Sequence, residues 1–471
     1  MKPALLTLPC AFAVLAAAGC ASVSPKPSFD DVSKLVQDRG GAPLHWDQGR
    51  WDQGTPADAR VKAHVGELLH GQLTADSAVE VALLRNQGLL ATYQELGIAQ
   101  ADLVQAGLLR NPSLGARVRF PSGGGSIGSG SIATEFSIAE DFLDLFTLSL
   151  RKRVAAAQLE AKKARVGSAV LELTAQVRSA IVTLQAAQAT LALRRLVLEA
   201  QAAAAELRRR QQAAGNIGEL DAIEEEAFYQ QGKLELARGE AQVAEQRERV
   251  NRLLGLWGEE SASWKAGDAM PGLPERDPPL EHLEALAVER RLDLSAARSE
   301  AHALEEAASL SGVTRVLPAL QLGVSTERDP EGTRVTGPQL SVELPIFDQG
   351  QARMGRLEAQ LRQAQAREAE LAVNVRSEVR TLRNRLISAR GAAEHFRTVL
   401  LPLRERIVKE SQLRYSAMLL GVFQLLAARR AEIETWRDSL EAVRDYWITR
   451  AELERAAGGT LSPPPTEEKK P

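Results

Sequence analysis

The sequence predicts a mainly helical protein that carries membrane β-hairpins, built as a duplicated helix–hairpin–long helix–helix unit. Three observations carry this expectation. Gly218 and Gly421 differ by 203 positions, as do Gly255 and Gly458, while Asp144 and Asp348 differ by 204 and Pro112 and Pro318 by 206. Punctuation residues held at a nearly fixed offset are the mark of an internal duplication. Two long stretches keep apolar residues at coiled-coil spacing, and short runs of period-two alternation stand ahead of each.

Composition agrees with long helices. Among 471 residues, alanine, leucine, glutamate, glutamine and arginine dominate and aromatics are only 4%, too few for a large globular core. The net charge of −3 gives no reason to expect a nucleic-acid partner, because the arginines are offset by glutamates along solvated helix faces.

Residues 1–19 read as a secretory signal peptide: Lys2 precedes an apolar run from Ala4 to Ala18, too short to span a membrane. Ala17-Ala18-Gly19-Cys20 resembles a bacterial lipoprotein processing site that would lipidate Cys20, although a leucine is usual where Ala17 stands. Ordinary cleavage near Ala21 is the alternative. Cys10 leaves with the signal, so Cys20 is the only thiol of the mature chain and no disulfide forms. No later stretch approaches 18 consecutive apolar residues, so a mature chain that spans a membrane does so with strands.

Residues 20–72 read as an irregular, extended N-terminal periplasmic segment, punctuated by Pro25, Pro27, Gly40, Gly41 and Pro43. Repeat 1 covers 73–258. It opens with one helix, capped by Thr74 or Asp76 and stopped by Asn111-Pro112. A hairpin follows over about 113–140. Leu114, Ala116, Val118 and Phe120 alternate with Gly115, Arg117 and Arg119, and Phe136 and Ile138 alternate with Glu135 and Ser137 around the Gly123–Gly130 tip. From Leu145 to Ala213 no proline intervenes, and Val166, Val170, Leu173, Val177, Ile181 and Leu184 form a seam. At ~1.5 Å per residue that helix is a rod near 100 Å. The Gly215/Gly218 break turns the chain, and Leu220 to Leu254 runs back.

A linker, 259–279, separates the copies. Repeat 2, 280–459, has one helix over Leu283–Leu310 and a hairpin over about 318–345, whose alternation slips by one near Gly337-Pro338. A second seam follows at Leu371, Val375, Val379, Leu382 and Leu386, with Pro402 expected to kink the helix. The Gly421 break and a helix to Ala457 close the unit. Residues 460–471, with three consecutive prolines, read as a disordered tail.

The segment Gly337 to Asp348 followed by a long helix, together with Arg414 to Leu426, resembles the TolC-like outer membrane factors, outer-membrane efflux channels many of which are lipoproteins. The likeness covers both copies from about Leu73 to Gly459. It implies a homotrimer: a trimeric α-helical tunnel capped by a shared 12-stranded β-barrel in outer-membrane lipid. It also implies a periplasmic adaptor protein and an inner-membrane pump, often of the proton-driven RND class, as partners. The residues alone reach part of this. Four strands cannot close a barrel, so chains must pool their hairpins, and two or three chains would be enough.

Within that frame the two breaks form the periplasmic tip. Gly215, Gly218 and Gly421 are expected to permit tight turns, and Asn216, Met418, Leu419, Leu420 and Val422 to meet the adaptor or to pack the turns. Some family members narrow this end with acidic residues. The matching positions in copy two are Gln424 and Ala427, whereas copy one has Asp221 and Glu224, which read either as a constriction or as first-turn carboxylates. Arg117, Arg119 and Glu135 are expected to line the barrel.

Chemistry-bearing motifs are missing. His45, His64, His70, His282, His302 and His395 show no metal-ligand spacing, so no metal site is assigned. Gly123 to Gly128 lacks the lysine of a phosphate loop and opens no helix. The expectation is a passive duct, not an enzyme, with no catalytic residue and no cofactor. Two alternatives stay open: a periplasmic adaptor lipoprotein, which should have one helical hairpin and more strands, and a structural coiled-coil protein of the envelope.

Overall fold

Caps and breakers set the element boundaries. The computed structural model describes residues 23–44, 56–119, 133–267, 270–316, 319–328 and 333–461. The signal run, Cys20, the Gly123–Gly130 tip, Pro318 and most of the C-terminal tail lie outside the described residues. The chain divides into two compact units. Unit 1 holds the residues up to Asp31, Tyr93–Val166 and Asp293–Leu371; unit 2 holds Val32–Thr92, Gly167–Leu292 and Ala372 onward.

In chain order, α1 (Lys26–Gln37), α2 (Pro56–His70), β1 (Gln72–Leu73), α3 (Ala75–Arg85) and α4 (Gln87–Ala106) lead to β2 (Ser113–Arg119) and β3 (Ala133–Asp141). Then come α5 (Leu143–Ala213), α6 (Glu219–Leu254), α7 (Glu260–Ser263), β4 (Lys265–Ala266), α8 (Leu283–Arg290) and α9 (Leu292–Val316). The second hairpin is β5 (Leu320–Arg328) and β6 (Arg334–Val342). It is followed by α10 (Gln351–His395), a π-helical turn (Phe396–Leu400), α11 (Leu401–Ser416) and α12 (Val422–Ala456).

The N-terminal segment is not extended. Helices α1 and α2 occupy much of it, and Phe29, Val32 and Val36, at helical spacing, are buried. Pro27, read as part of an irregular segment, stands instead in a first turn, as Pro56 does in α2, where a missing N–H removes no helix bond.

In unit 2 the expected opening helices are each split. Thr74 caps α3 with a reciprocal pair to Ser77, and the helix stops at Asn86 (ψ 112°). Asn86 then starts α4: its Oδ1 accepts from the Leu89 N–H at 2.9 Å, while its Nδ2 donates to the Leu253 carbonyl at 2.9 Å. Copy two breaks at Arg291 (ψ 125°). Each break is covered by a helix-ending glycine. Gly255 (φ 69°) lies so close to Arg85 that a Cβ would fall 2.4 Å from its carbonyl oxygen, and one on Gly458 (φ 82°) would fall 2.9 Å from the Arg290–Arg291 peptide. The fixed offset of these glycines thus follows from a packing contact made twice.

The seams are buried as expected. Val170, Val177, Ile181 and Leu184 of α5 and Val375, Val379, Leu382 and Leu386 of α10 are core residues of unit 2. By length and composition α5 alone, among the described residues, is apolar enough to cross a membrane, and its alanine-rich seam accounts for that. Pro402 is accommodated by the π turn before it, where the Leu401 N–H bonds back to the Phe396 carbonyl.

Unit 1 contains a four-stranded antiparallel sheet of order β2-β3-β5-β6, so the two hairpins lie side by side. The β5–β6 ladder runs without a slip from Leu320↔Val342 to Arg328↔Arg334, with Pro338 opposite Val324. The apparent slip came from Val335, which falls on the polar face opposite Glu327. Pro338 is tolerated because β6 is an edge strand.

Candidate functional site

The register sorts the sheet's side chains by chemistry. Leu114 stands opposite Ile138, Ala116 opposite Phe136, Leu322 opposite Leu340 and Leu320 opposite Val342. This face is open: Leu114 is 76% and Leu340 63% exposed. The other face carries ions. Glu135 Oε2 accepts from Arg117 at 3.2 Å and from Arg119 at 3.1 Å, and Arg119 also reaches Glu327 at 2.9 Å. The sequence had singled out the first three. Glu327 was missed, although it continues the polar phase of Gln321, Gly323 and Ser325. Both outer strands, β2 and β6, have an unpaired edge among the described residues.

Where the strands give way to helix, further apolar side chains stand free. Phe142 and Phe146 meet edge to face with centroids 5.9 Å apart, and Leu344, Ile346 and Phe347 are exposed.

Unit 2 brings the two breaks together. The Arg208 guanidinium at the end of α5 sits 3.5 Å from the ring centroid of Phe423 at the start of α12. Arg430 of α12 pairs with Glu225 of α6 at 2.8 Å. Gly215 is left-handed (φ 72°), but Gly218 and Gly421 are N-caps in ordinary extended conformation (φ −73° and −74°). In the second break the left-handed residue is Met418 (φ 58°), which is 94% exposed. Leu419 is exposed beside it, Leu420 and Val422 are half-buried, and Asn216 is exposed. Gln424 is occupied locally, its Oε1 accepting from the Gly421 N–H at 3.2 Å. Asp221 and Glu224 are exposed in the first turns of α6.

Higher in unit 2, the linker is pinned to the second copy. Arg390 donates to Asp277 at 2.8 Å and to the Pro274 and Glu275 carbonyls, and Trp447 donates to the Pro271 carbonyl. Tyr446 donates to Asp277 at 2.6 Å, and burial together with that bond pushes its hydroxyl pKa up to about 12. Burial acts to raise the Glu378 carboxyl, yet hydrogen bonds from Arg291 and Arg455 outweigh it and hold the group below its ordinary range. Among the described residues no group of side chains is arranged to hold a metal ion.

Residues 78–256 match the family described as Outer membrane efflux protein. Over that segment, within the first repeat, the chain is similar to the outer membrane efflux proteins. Against the cobalt-zinc-cadmium resistance protein CzcC of Cupriavidus metallidurans, this chain is 27% identical over 372 residues, covering 76% of this chain and 84% of that protein. Its fold matches the crystal structure of CusC with a TM-score of 0.68 at 17% identity, covering 82% of this chain and 92% of that one. The outer membrane protein VceC of Vibrio cholerae matches with a TM-score of 0.67 at 17% identity, covering 82% and 97%. The family match and the similarity to CzcC give the protein an outer-membrane location and an efflux role. The adaptor and scaffold alternatives are not favoured.

Proposed function

We propose that this efflux protein is the outer-membrane channel of a three-component export system, a passive duct for small molecules or metal ions across periplasm and outer membrane. The observation that carries the reading is the open four-stranded sheet, apolar on one face and ion-paired on the other. In hydrocarbon each unpaired backbone group at its edges would cost several kcal/mol. Membrane barrels begin at about eight strands, so copies must combine. Three copies would give one 12-stranded barrel with Leu114, Phe136, Ile138 and Leu340 toward lipid and Arg117, Arg119, Glu135 and Glu327 toward water. Phe142, Phe146 and Phe347 would then mark the boundary between lipid and periplasm.

The exposed Met418 and Leu419 at the break are the surface for a periplasmic adaptor, behind which an inner-membrane pump of the RND class supplies the energy. The similarity to a cobalt-zinc-cadmium resistance protein supports divalent metal ions as cargo. This component performs no catalysis, and Cys20, if processed as a lipoprotein, anchors its N-terminus in the same membrane. The test is conductance. Purified full-length protein inserted into a planar lipid bilayer should open discrete, long-lived ion-conducting steps. Folded protein that binds the bilayer without conducting would contradict the duct.

A further inference from the structure

The duplication supplies an internal comparison within unit 1, because each hairpin hands over to a helix at an equivalent junction. Asp144 and Asp348 mark the two junctions, 204 residues apart, and Arg110 and Arg315 stand ahead of them, 205 apart. At the first junction the chain neutralises its own guanidiniums. Arg110 meets Asp141 at 3.2 Å and Asp144 at 3.5 Å, Arg151 meets Asp144 at 3.6 Å, and Arg153 meets Glu306 at 2.9 Å. At the second junction it does not. Arg315, Arg353 and Arg356 are exposed, and among the described residues none of them has an ion-pair partner.

The local carboxylates do not supply one. Asp348 Oδ1 accepts from the Gly350 N–H at 2.8 Å, and Glu343 follows the end of β6; neither comes within ion-pair distance of these arginines. Arg353 also stands in the first turn of α10, where the positive end of the helix dipole disfavours a cation, and that turn has no acidic residue. The three cations are near one another. A Cβ on Gly350 would fall 3.6 Å from the Arg315 side chain, which sets that side chain against the start of α10, and Arg353 and Arg356 are three positions apart on one helix face. The stretch ahead of them is pinned by its own bonds. The Ile346 N–H donates to the Leu344 carbonyl, the Gln349 N–H to Gln351 Oε1, and Gln351 Nε2 to the Phe347 carbonyl. It nonetheless presents Leu344, Ile346 and Phe347 outward, Phe347 being 92% exposed. Arg353 and Arg356 fall within the first ~8 Å of α10. That depth matches a bilayer headgroup layer, about 5–8 Å on each side of the hydrocarbon.

We propose that Arg315, Arg353 and Arg356 bind the phosphate groups of anionic phospholipids in the periplasmic leaflet of the outer membrane, with Leu344, Ile346 and Phe347 set among the acyl chains beside them. The forked guanidinium N–H groups donate to phosphate oxygens, and the long arginine stems lie along apolar surface to reach them. An anionic headgroup is favoured over a zwitterionic one, because a zwitterion brings an ammonium back toward the same arginines. The site rests on the outer-membrane channel reading above. It makes the second junction of each chain, and not the self-neutralised first, the lipid-selective one.

The test compares the full-length protein with Arg315→Gln/Arg353→Gln/Arg356→Gln, each reconstituted in nanodiscs of phosphatidylcholine alone or of phosphatidylcholine with phosphatidylglycerol. Phosphatidylglycerol should raise the thermal unfolding midpoint of the natural protein by several degrees, less so at high salt, and leave that of the triple variant unmoved. The single variants Arg353→Gln and Arg356→Gln, on an exposed helix surface, should each lose part of the shift, which keeps the comparison if the triple variant assembles poorly. An equal shift in all the proteins, or none in any, would overturn the site. So would an equal stabilisation of the detergent-solubilised natural protein by inorganic phosphate at matched ionic strength, which would make the ligand a free ion. Bilayer conductance is recorded on the same proteins. A changed ion preference in the triple variant without a lipid-dependent shift would put the arginines on the tunnel wall and overturn the site. Natural protein that conducts but ignores phosphatidylglycerol overturns the headgroup site alone, whereas folded protein that does not conduct overturns the channel reading.

Discussion

Met418 occupies, in the second break, the left-handed backbone position that Gly215 occupies in the first: their φ angles are 58° and 72°, and they lie 203 residues apart. A side chain in that region costs about 1–2 kcal/mol, and unbranched methionine gains nothing from burial here because it is 94% exposed. Retaining it there is consistent with a side chain needed by a partner. Met418→Gly should therefore raise the unfolding free energy of the detergent-solubilised protein by up to about 1 kcal/mol while weakening adaptor capture. Gly215→Ala should lower stability by about 1 kcal/mol, with φ as the sole reason, since nothing lies within 4 Å of the added carbon. Denaturant unfolding followed by circular dichroism and a pull-down with the purified adaptor read the two effects separately.

The sheet's two faces should respond oppositely to charge. Phe136→Arg places a guanidinium among the exposed apolar residues, at a cost of about 2–4 kcal/mol if that position lies at mid-bilayer. Its yield of assembled protein in the outer membrane should fall sharply. Ser325→Asp, on the polar face with Glu135 and Glu327, should assemble normally. Heat-modifiable mobility on gels distinguishes folded from unfolded material. Equal yields for the two variants would mean the faces are not sorted between lipid and water.

The Arg119–Glu135–Glu327 network predicts ion preference. Glu135→Gln with Glu327→Gln removes two negative charges and leaves Arg117 and Arg119 in excess. Reversal potentials under a salt gradient should shift toward anion preference, more so at low ionic strength because screening weakens the field.

Glu378 gives a pH signature. Its folded pKa lies below the ordinary glutamate value of 4.5, so the unfolded chain binds its proton more readily. Its contribution to stability is fully present above that ordinary value and is lost as pH falls through the depressed folded pKa. Glu378→Gln should accordingly be less stable than the natural protein at neutral pH, with the gap narrowing in acid below pH 4.5. Thermal unfolding at a series of pH values checks this, and a gap independent of pH would mean that Arg291 and Arg455 hold the position by packing alone.

Much of the fold was legible because its signals are local and repeated. The glycine offset revealed the duplication, the spacing from Val166 to Leu184 gave the buried seam, and alternation placed both hairpins within a few residues. The breaks at Asn86 and Arg291 were not legible, because neither residue is a breaker: each is bent by a glycine that arrives from another helix. The left-handed Met418 was hidden for the opposite reason, since glycine is the residue a sequence reader expects at positive φ. Glu327 was within reach by carrying the polar phase of β5 one step further. The ion-paired face could be anticipated residue by residue, whereas the side-by-side placement of the two breaks depends on Arg208, Phe423, Glu225 and Arg430, which are distant in sequence.

The central claim is that hairpins from separate chains close one barrel, and native mass tests it most directly. Protein extracted by detergent from purified outer membranes, measured by light scattering with the bound detergent subtracted, should weigh roughly 150 kDa, three times the 51.0 kDa chain. A monodisperse species near the mass of one chain, still folded and still recovered from the outer membrane, would contradict it.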